Sequence, residues 1–188
     1  MKRIWLTSLL IGSLVLPFLP AFADSYGDTV ALFKNAGASA AFFGSSYGYA
    51  VFPTIGKGGL VVGAAHGTGH VYQKGRYVGS TSMTQLSVGL QLGGQAYSEI
   101  IFFEDQRAFN EFTSGSFTFS GDVSAVAITA GASASAGTGG TTAGASGGKK
   151  DATTAGGYQK GLAVFTIAKG GLMYQAAVAG QKFSYTPK

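Results

Sequence analysis

From residue 49 onward, apolar and polar positions alternate more often than they repeat at helical spacing. The clearest case is residues 85–92, where Leu86, Val88, Leu90 and Leu92 alternate with Gln85, Ser87, Gly89 and Gln91. A period of two predicts a strand with one buried face. Strands are likewise predicted over 50–55, 60–72 and 77–83, with Pro53 near an edge or bulge. Gly75 between Lys74 and Arg76 marks a hairpin turn. Residues 96–103 are more uniformly apolar, as expected of a central strand, and further strands are predicted over 116–120, 123–134, 162–168, 172–179 and 182–186.

Two stretches break this pattern. Residues 24–49 read as helical, with Asp28 capping a segment that carries Val30, Leu32 and Phe33 until Gly37. Ser39 then caps a second piece bearing Ala40, Ala41, Phe42 and Phe43, ended by Gly44. Residues 104–112 switch to helical spacing, with Asp105 as N-cap and Ala108, Phe109 and Phe112 on one face. The predicted fold class is therefore α+β. It is a single β-rich domain, a bent antiparallel sheet or partly closed barrel, with short N-terminal and mid-chain helices.

A repeat runs through this pattern. The stretch AVFPTIGKGGL at residues 50–60 returns as AVFTIAKGGL at residues 163–172, with Pro53 as the extra residue of the first copy. Each copy places a lone lysine, Lys57 or Lys169, before a glycine pair, Gly58-Gly59 or Gly170-Gly171. A second echo pairs Gly94-Gln95-Ala96-Tyr97-Ser98 with Gly180-Gln181-Lys182-Phe183-Ser184. Similar strand corners and a shared ligand-facing role both account for such echoes.

Composition and charge narrow the setting. Lys2 and Arg3 precede an apolar run at residues 4–16, and Ala21-Phe22-Ala23 supplies a small-x-small site. That run is shorter than the ~20 residues of a membrane-spanning helix. Residues 1–23 thus read as a cleavable signal peptide, and residues 24–188 as an exported, periplasmic or secreted chain. Without that segment, 11 basic residues face 8 acidic ones, a balance of +3. This is far from the dense basic stripe of a nucleic-acid binder, and it suits a peripheral contact with anionic lipid. There is no cysteine, so no disulfide framework forms. Residues 137–157 are Gly, Ala, Ser and Thr with Lys149, Lys150 and Asp151, a flexible loop without a core.

Catalysis finds little support. His66 and His70, the two histidines, lie four apart on a predicted strand. They share a face but sit about 13 Å apart, too far to ligate one metal. No G-x-S-x-G nucleophile elbow is present, and the residues read as surface or satisfied histidines. Gly56-Lys57-Gly58-Gly59 lacks the spacing and the Ser or Thr of a nucleotide-binding loop. A glycine turn with a solvated lysine is the plainer reading, and backbone N–H groups joined by an ammonium on a phosphate is the sharper one.

The blocks Tyr49-Ala50-Val51-Phe52-Pro53, Gly56-Lys57-Gly58-Gly59 and Gly89-Leu90-Gln91-Leu92-Gly93-Gly94-Gln95-Ala96-Tyr97-Ser98-Glu99 carry a resemblance. With Ile100-Ile101-Phe102-Phe103, Ala163-Val164-Phe165 and Lys169-Gly170-Gly171-Leu172, the chain resembles the SYLF lipid-binding domain family. The resemblance implies a non-enzymatic, cofactor-free protein that binds phospholipids, and in a bacterial envelope these would be anionic phospholipids at a membrane surface. It points to Lys57, Gly58, Gly59, Lys169, Gly170 and Gly171 as head-group contacts. Lys74, Arg76 and Lys182 would add long-range attraction, and Phe42 and Phe43 would insert as exposed aromatics. The rival reading is a structural or adhesive envelope protein whose glycine-rich β surface meets protein partners.

Overall fold

The computed structural model describes residues 26–59, 62–88, 95–119, 123, 125–128, 157–169, 178 and 180–188. The leader at 1–23, the loop at 137–156, Gly170, Gly171 and most of the strand expected at 172–179 lie outside them. Eight strands form one sheet: β1 Gly48–Gly59, β2 Val62–Gln73, β3 Arg76–Val88, β4 Gln95–Phe103, β5 Ser116–Thr118, β6 Ala125–Ile128, β7 Leu162–Lys169 and β8 Lys182–Pro187. Their order is β5-β8-β3-β2-β1-β4-β7-β6. The expected antiparallel sheet is corrected at one edge, where β6 runs parallel to β7. The connection at 129–161 has the dozen or more residues that a parallel crossover needs.

The sheet is curled. Laid flat, the four strand steps from β8 to β4 would span about 19 Å. Yet Gln181, one residue before β8, donates from Nε2 to Glu99 Oε2 on β4 at 3.0 Å. Only a half-barrel brings these together. Its inner face buries Phe52, Ile55, Val71, Met83, Ile101, Phe103 and Phe183, and Phe109 and Phe112 of helix α4 (Gln106–Phe112) pack against them. Asp105 caps α4 as expected, its Oδ1 accepting from the Ala108 N–H at 2.8 Å.

The outer face of β1, β4 and β7 is covered by α1 (Tyr26–Asn35), α2 (Gly37–Ala40) and α3 (Phe42–Ser45). Both faces of these strands are therefore apolar, and Ala50, Val51 and Phe52 are all fully buried. Local capping differs from expectation. Asp28 lies inside the first turn of α1, and Ser39 sits within α2, its hydroxyl donating back to Phe33 O at 2.6 Å.

Backbone details follow the turn chemistry. Lys74 (φ 47°) and Gly75 (φ 77°) form the tight β2–β3 hairpin. Pro53 is not at an edge, because β1 is flanked by β2 and β4. It occupies the bulge where the register slips between Phe52 and Ile55, and its carbonyl accepts from the Ser98 hydroxyl at 2.8 Å.

That bulge explains the extra residue of the repeat. It keeps Ala50, Phe52 and Ile55 on the inner face despite the insertion. The second copy has no bulge and places Ala163, Phe165 and Ile167 on the outer face. The two copies lie on strands flanking β4, one residue out of step: Val51 and Phe165 both pair with Ile100. A one-residue offset in a period-two structure reverses the face.

The candidate membrane-contacting surface

The repeated lysines inherit this reversal. Ile55 faces inward, so Lys57, two residues on, faces the inner side, where it is half-buried. Ile167 faces outward, so Lys169 does too, and its Nζ donates to Thr54 Oγ1 at 2.9 Å. They occupy the same end of the sheet on opposite faces. They do not form twin corners of one site. Nor is the first copy a free glycine turn, since Gly58 and Gly59 pair with Ala64 and Gly63 in the β1–β2 ladder. The glycines of the second copy lie outside the described residues.

The remaining expected contacts separate as well. Lys182 pairs with Thr84, Thr84 with His66, and His66 with Gly56. Gly56 pairs with Ala96, and Ala96 with Lys169. Directly paired residues share a face, so Lys169, Ala96, Gly56, His66, Thr84 and Lys182 form one outward row across β7, β4, β1, β2, β3 and β8. Lys74 and Arg76 are elsewhere. They flank the hairpin at the other end of β2, where Gln73 pairs with Arg76, about 23 Å from the row along the strand. Lys74 Nζ there lies over the Tyr47 ring, 5.7 Å from its centroid.

Among the described residues, the outward positions beside the row on β2 and β3 carry no carboxylate: they are Ala64 and Thr68 on β2, and Ser82 and Leu86 on β3. The exposed carboxylates among the described residues sit on α1 (Asp28) and around α4 (Glu104, Asp105, Glu111). Leu86 reverses the expected strand polarity: the alternation is present, but Gln85 is the inward residue, 6% exposed, and Leu86 stands 78% exposed. An apolar side chain thus projects beside a cationic row.

Phe42 and Phe43 are not exposed aromatics. Phe42 packs edge-on against Phe165 (ring centroids 5.0 Å apart) and against Tyr158 (5.1 Å). Phe43 meets Phe102 at 4.9 Å and Tyr49 at 5.3 Å. Both are half-buried and join α3 to the sheet rather than standing free as expected.

The histidines divide. His66 is exposed in the row, whereas His70 stacks on Tyr26 of α1 with ring centroids 3.5 Å apart and lies 4.6 Å from Tyr77. Burial lowers the His70 pKa from its ordinary value. No group of three or more His, Cys, Asp or Glu among the described residues could hold a metal ion.

A second polar feature lies inside the curl. Glu99, Gln181 and Thr166 are all at most 1% exposed. Gln181 Nε2 donates to Glu99 Oε2 at 3.0 Å and to the Tyr97 hydroxyl at 3.2 Å. Burial pushes the Glu99 carboxyl up to about 8, opposed by the Gln181 hydrogen bond, so it is largely protonated at neutral pH. Burial, and then the nearby Glu99, also raises the Tyr97 phenol. Periodicity gave no sign of this cluster, because its members come from three distant segments.

Comparison with known proteins places the chain in a family. Residues 84–185 match the family described as Ysc84, Las17-binding protein actin regulator. The chain is also similar to beta cell expansion factor A of Aeromonas veronii, 27% identical over 158 residues, covering 82% of this chain and 51% of that protein. The chain thus spans about half the length of that relative.

Proposed function

The chain belongs to the Ysc84 (SYLF) family, a lipid-binding and actin-regulator domain family, and from that premise we propose that it binds anionic phospholipid peripherally at a bacterial envelope membrane, without catalysis. The observation that carries this reading is the segregation of charge. Lys169 and Lys182 share an outward row free of carboxylates, and Leu86 projects beside it. Cations near an anionic leaflet each gain ~1 kcal/mol, and a partly inserted leucine adds apolar transfer energy. No helix among the described residues is long and apolar enough to cross a membrane. Export through a leader at residues 1–23 would place the chain in the periplasm or outside the cell.

Sedimentation with vesicles tests the proposal. The protein should pellet with phosphatidylglycerol-containing vesicles, remain in solution with pure phosphatidylcholine, and dissociate as salt is raised. Equal recovery with both vesicle types would refute the electrostatic basis. Salt-independent retention on a protein partner, with no lipid binding, would favour the structural or adhesive alternative.

A further inference from the structure

The polar cluster inside the curl is not satisfied by its own members. Among the described residues, Glu99 Oε1, Gln181 Oε1 and Thr166 Oγ1 are buried oxygens without a hydrogen-bond partner in the protein. They lie together. Glu99 and Thr166 are directly paired across β4 and β7 on the inner face, about 5 Å apart at Cβ, and Gln181 holds the other oxygen of Glu99. Gln181 is fixed from behind: its backbone N–H donates to Val178 O at 3.0 Å, and its carbonyl accepts from the Phe119 N–H at 2.9 Å. Its side-chain nitrogen is engaged by Glu99 Oε2 and the Tyr97 hydroxyl. The next inner-face residues along the strands are apolar, Ile101 on β4 and Val164 on β7. A buried polar atom left unmet is costly, and native interiors rarely gather several in one place.

We propose that this cradle binds one neutral hydroxyl group, carried by an internal water or by the alcohol end of a small ligand, which bridges Glu99 Oε1, Gln181 Oε1 and Thr166 Oγ1. The count of donors and acceptors selects this chemistry. Gln181 Oε1 can only accept, whereas the Thr166 hydroxyl can donate or accept. The Glu99 carboxyl, kept protonated by burial, carries one O–H to donate. A hydroxyl has one donor and two lone pairs, so it can donate to Gln181 while accepting from Thr166 and Glu99. An anion would leave Gln181 Oε1 unmet. It would also be far from the inner-face lysine, because Lys57 pairs with Gln95, about 13 Å before Glu99 along β4. A hard divalent cation takes about six to eight oxygens, more than the three that converge here. Full enclosure of the three side chains limits the occupant to a small group. The site is inside the sheet, so the inference stands apart from the lipid-binding reading of the outer row.

The sign of a stability change tests this in the full chain. Thr166→Val keeps the side-chain shape and deletes the hydroxyl. Removing a buried hydroxyl that has no partner should raise the urea midpoint or leave it level. Removing one that holds the bridging group should lower the midpoint at constant slope, and that fall is the expected result. Crystal structures of the parent and of Thr166→Ser should show density within hydrogen-bond distance of all three oxygens, and that of Thr166→Val should lack it. Native mass spectrometry of the chain as purified separates the two sources. Excess mass lost on denaturation identifies an alcohol ligand, whereas the bare chain mass with density for a single oxygen identifies water. A midpoint that rises or stays level in Thr166→Val would overturn the inference, as would a parent structure without density between the three oxygens. Density that depends on added sodium or calcium would also overturn it, by making the site ionic.

Discussion

Replacing Glu99 by glutamine isolates one buried proton. The carboxyl sits on the inner face of β4, wholly excluded from solvent, with Oε2 accepting from Gln181 Nε2 and Oε1 without a hydrogen-bond partner. Its pKa moves from an ordinary 4.5 to about 8 on folding, because the low-dielectric interior disfavours the charged form. The native state therefore holds this proton more tightly than the unfolded chain. Stability from this group is fully present below the unfolded value near 4.5. It declines as pH rises and is lost once pH passes the folded value near 8. At about 1.4 kcal/mol per pKa unit the full span is ~5 kcal/mol, and water entry around the ionised group would reduce it to ~2–5 kcal/mol.

Urea unfolding at pH about 5, 7 and 9 reads this directly as a falling midpoint at constant slope. Glu99→Gln keeps the shape and a donor but cannot ionise, so its midpoint should be nearly level across the same window. The Gln181–Glu99 contact closes the curl between β8 and β4, so loss of stability at high pH should come with exposure of the inner aromatic face. A wild-type midpoint that does not fall between pH 5 and 9 would refute the reasoning, as would an equal fall in Glu99→Gln.

Two further predictions separate surface from core. Lys169→Glu should weaken vesicle binding about tenfold or more, since it reverses a charge on the outward row, whereas Lys57→Glu on the inner face should weaken it less. Equal losses from both, measured by vesicle titration, would mean that the lysines act together despite facing apart. Phe42→Ala should cost ~2–3 kcal/mol in urea unfolding through lost packing on Phe165 and Tyr158, without changing vesicle affinity in the folded protein. Leu86→Ser should do the reverse, lowering vesicle affinity severalfold with an unchanged unfolding midpoint, because Leu86 is 78% exposed.

The linear sequence determined much of this protein. Period-two patterning located the strands, Lys74-Gly75 the hairpin, Asp105 the cap of α4, and the ordered Gly, Lys and aromatic blocks the family. These are local signals, carried by backbone sterics and side-chain spacing within a few residues, so they survive without knowledge of what packs where. The facing of each strand was another matter. Alternation at residues 85–88 shows that one face differs from the other, but not that Gln85 turns inward while Leu86 turns out. Two nearly identical lysine segments present opposite faces, because one lies a residue out of step across β4 and a bulge at Pro53 preserves that difference. Phe42 and Phe43 read as exposed until the sheet is placed beneath them.

The outward row is entirely a product of tertiary structure. Lys169, His66 and Lys182 are far apart in the chain and carry no shared motif. Strand order and register alone align them, as they align Gln181 with Glu99 across the curl. Sequence sets which residues can form strands. Only the pairing of those strands, decided by burial of both faces of β1, β4 and β7, determines which charges meet solvent together and which proton is sealed inside.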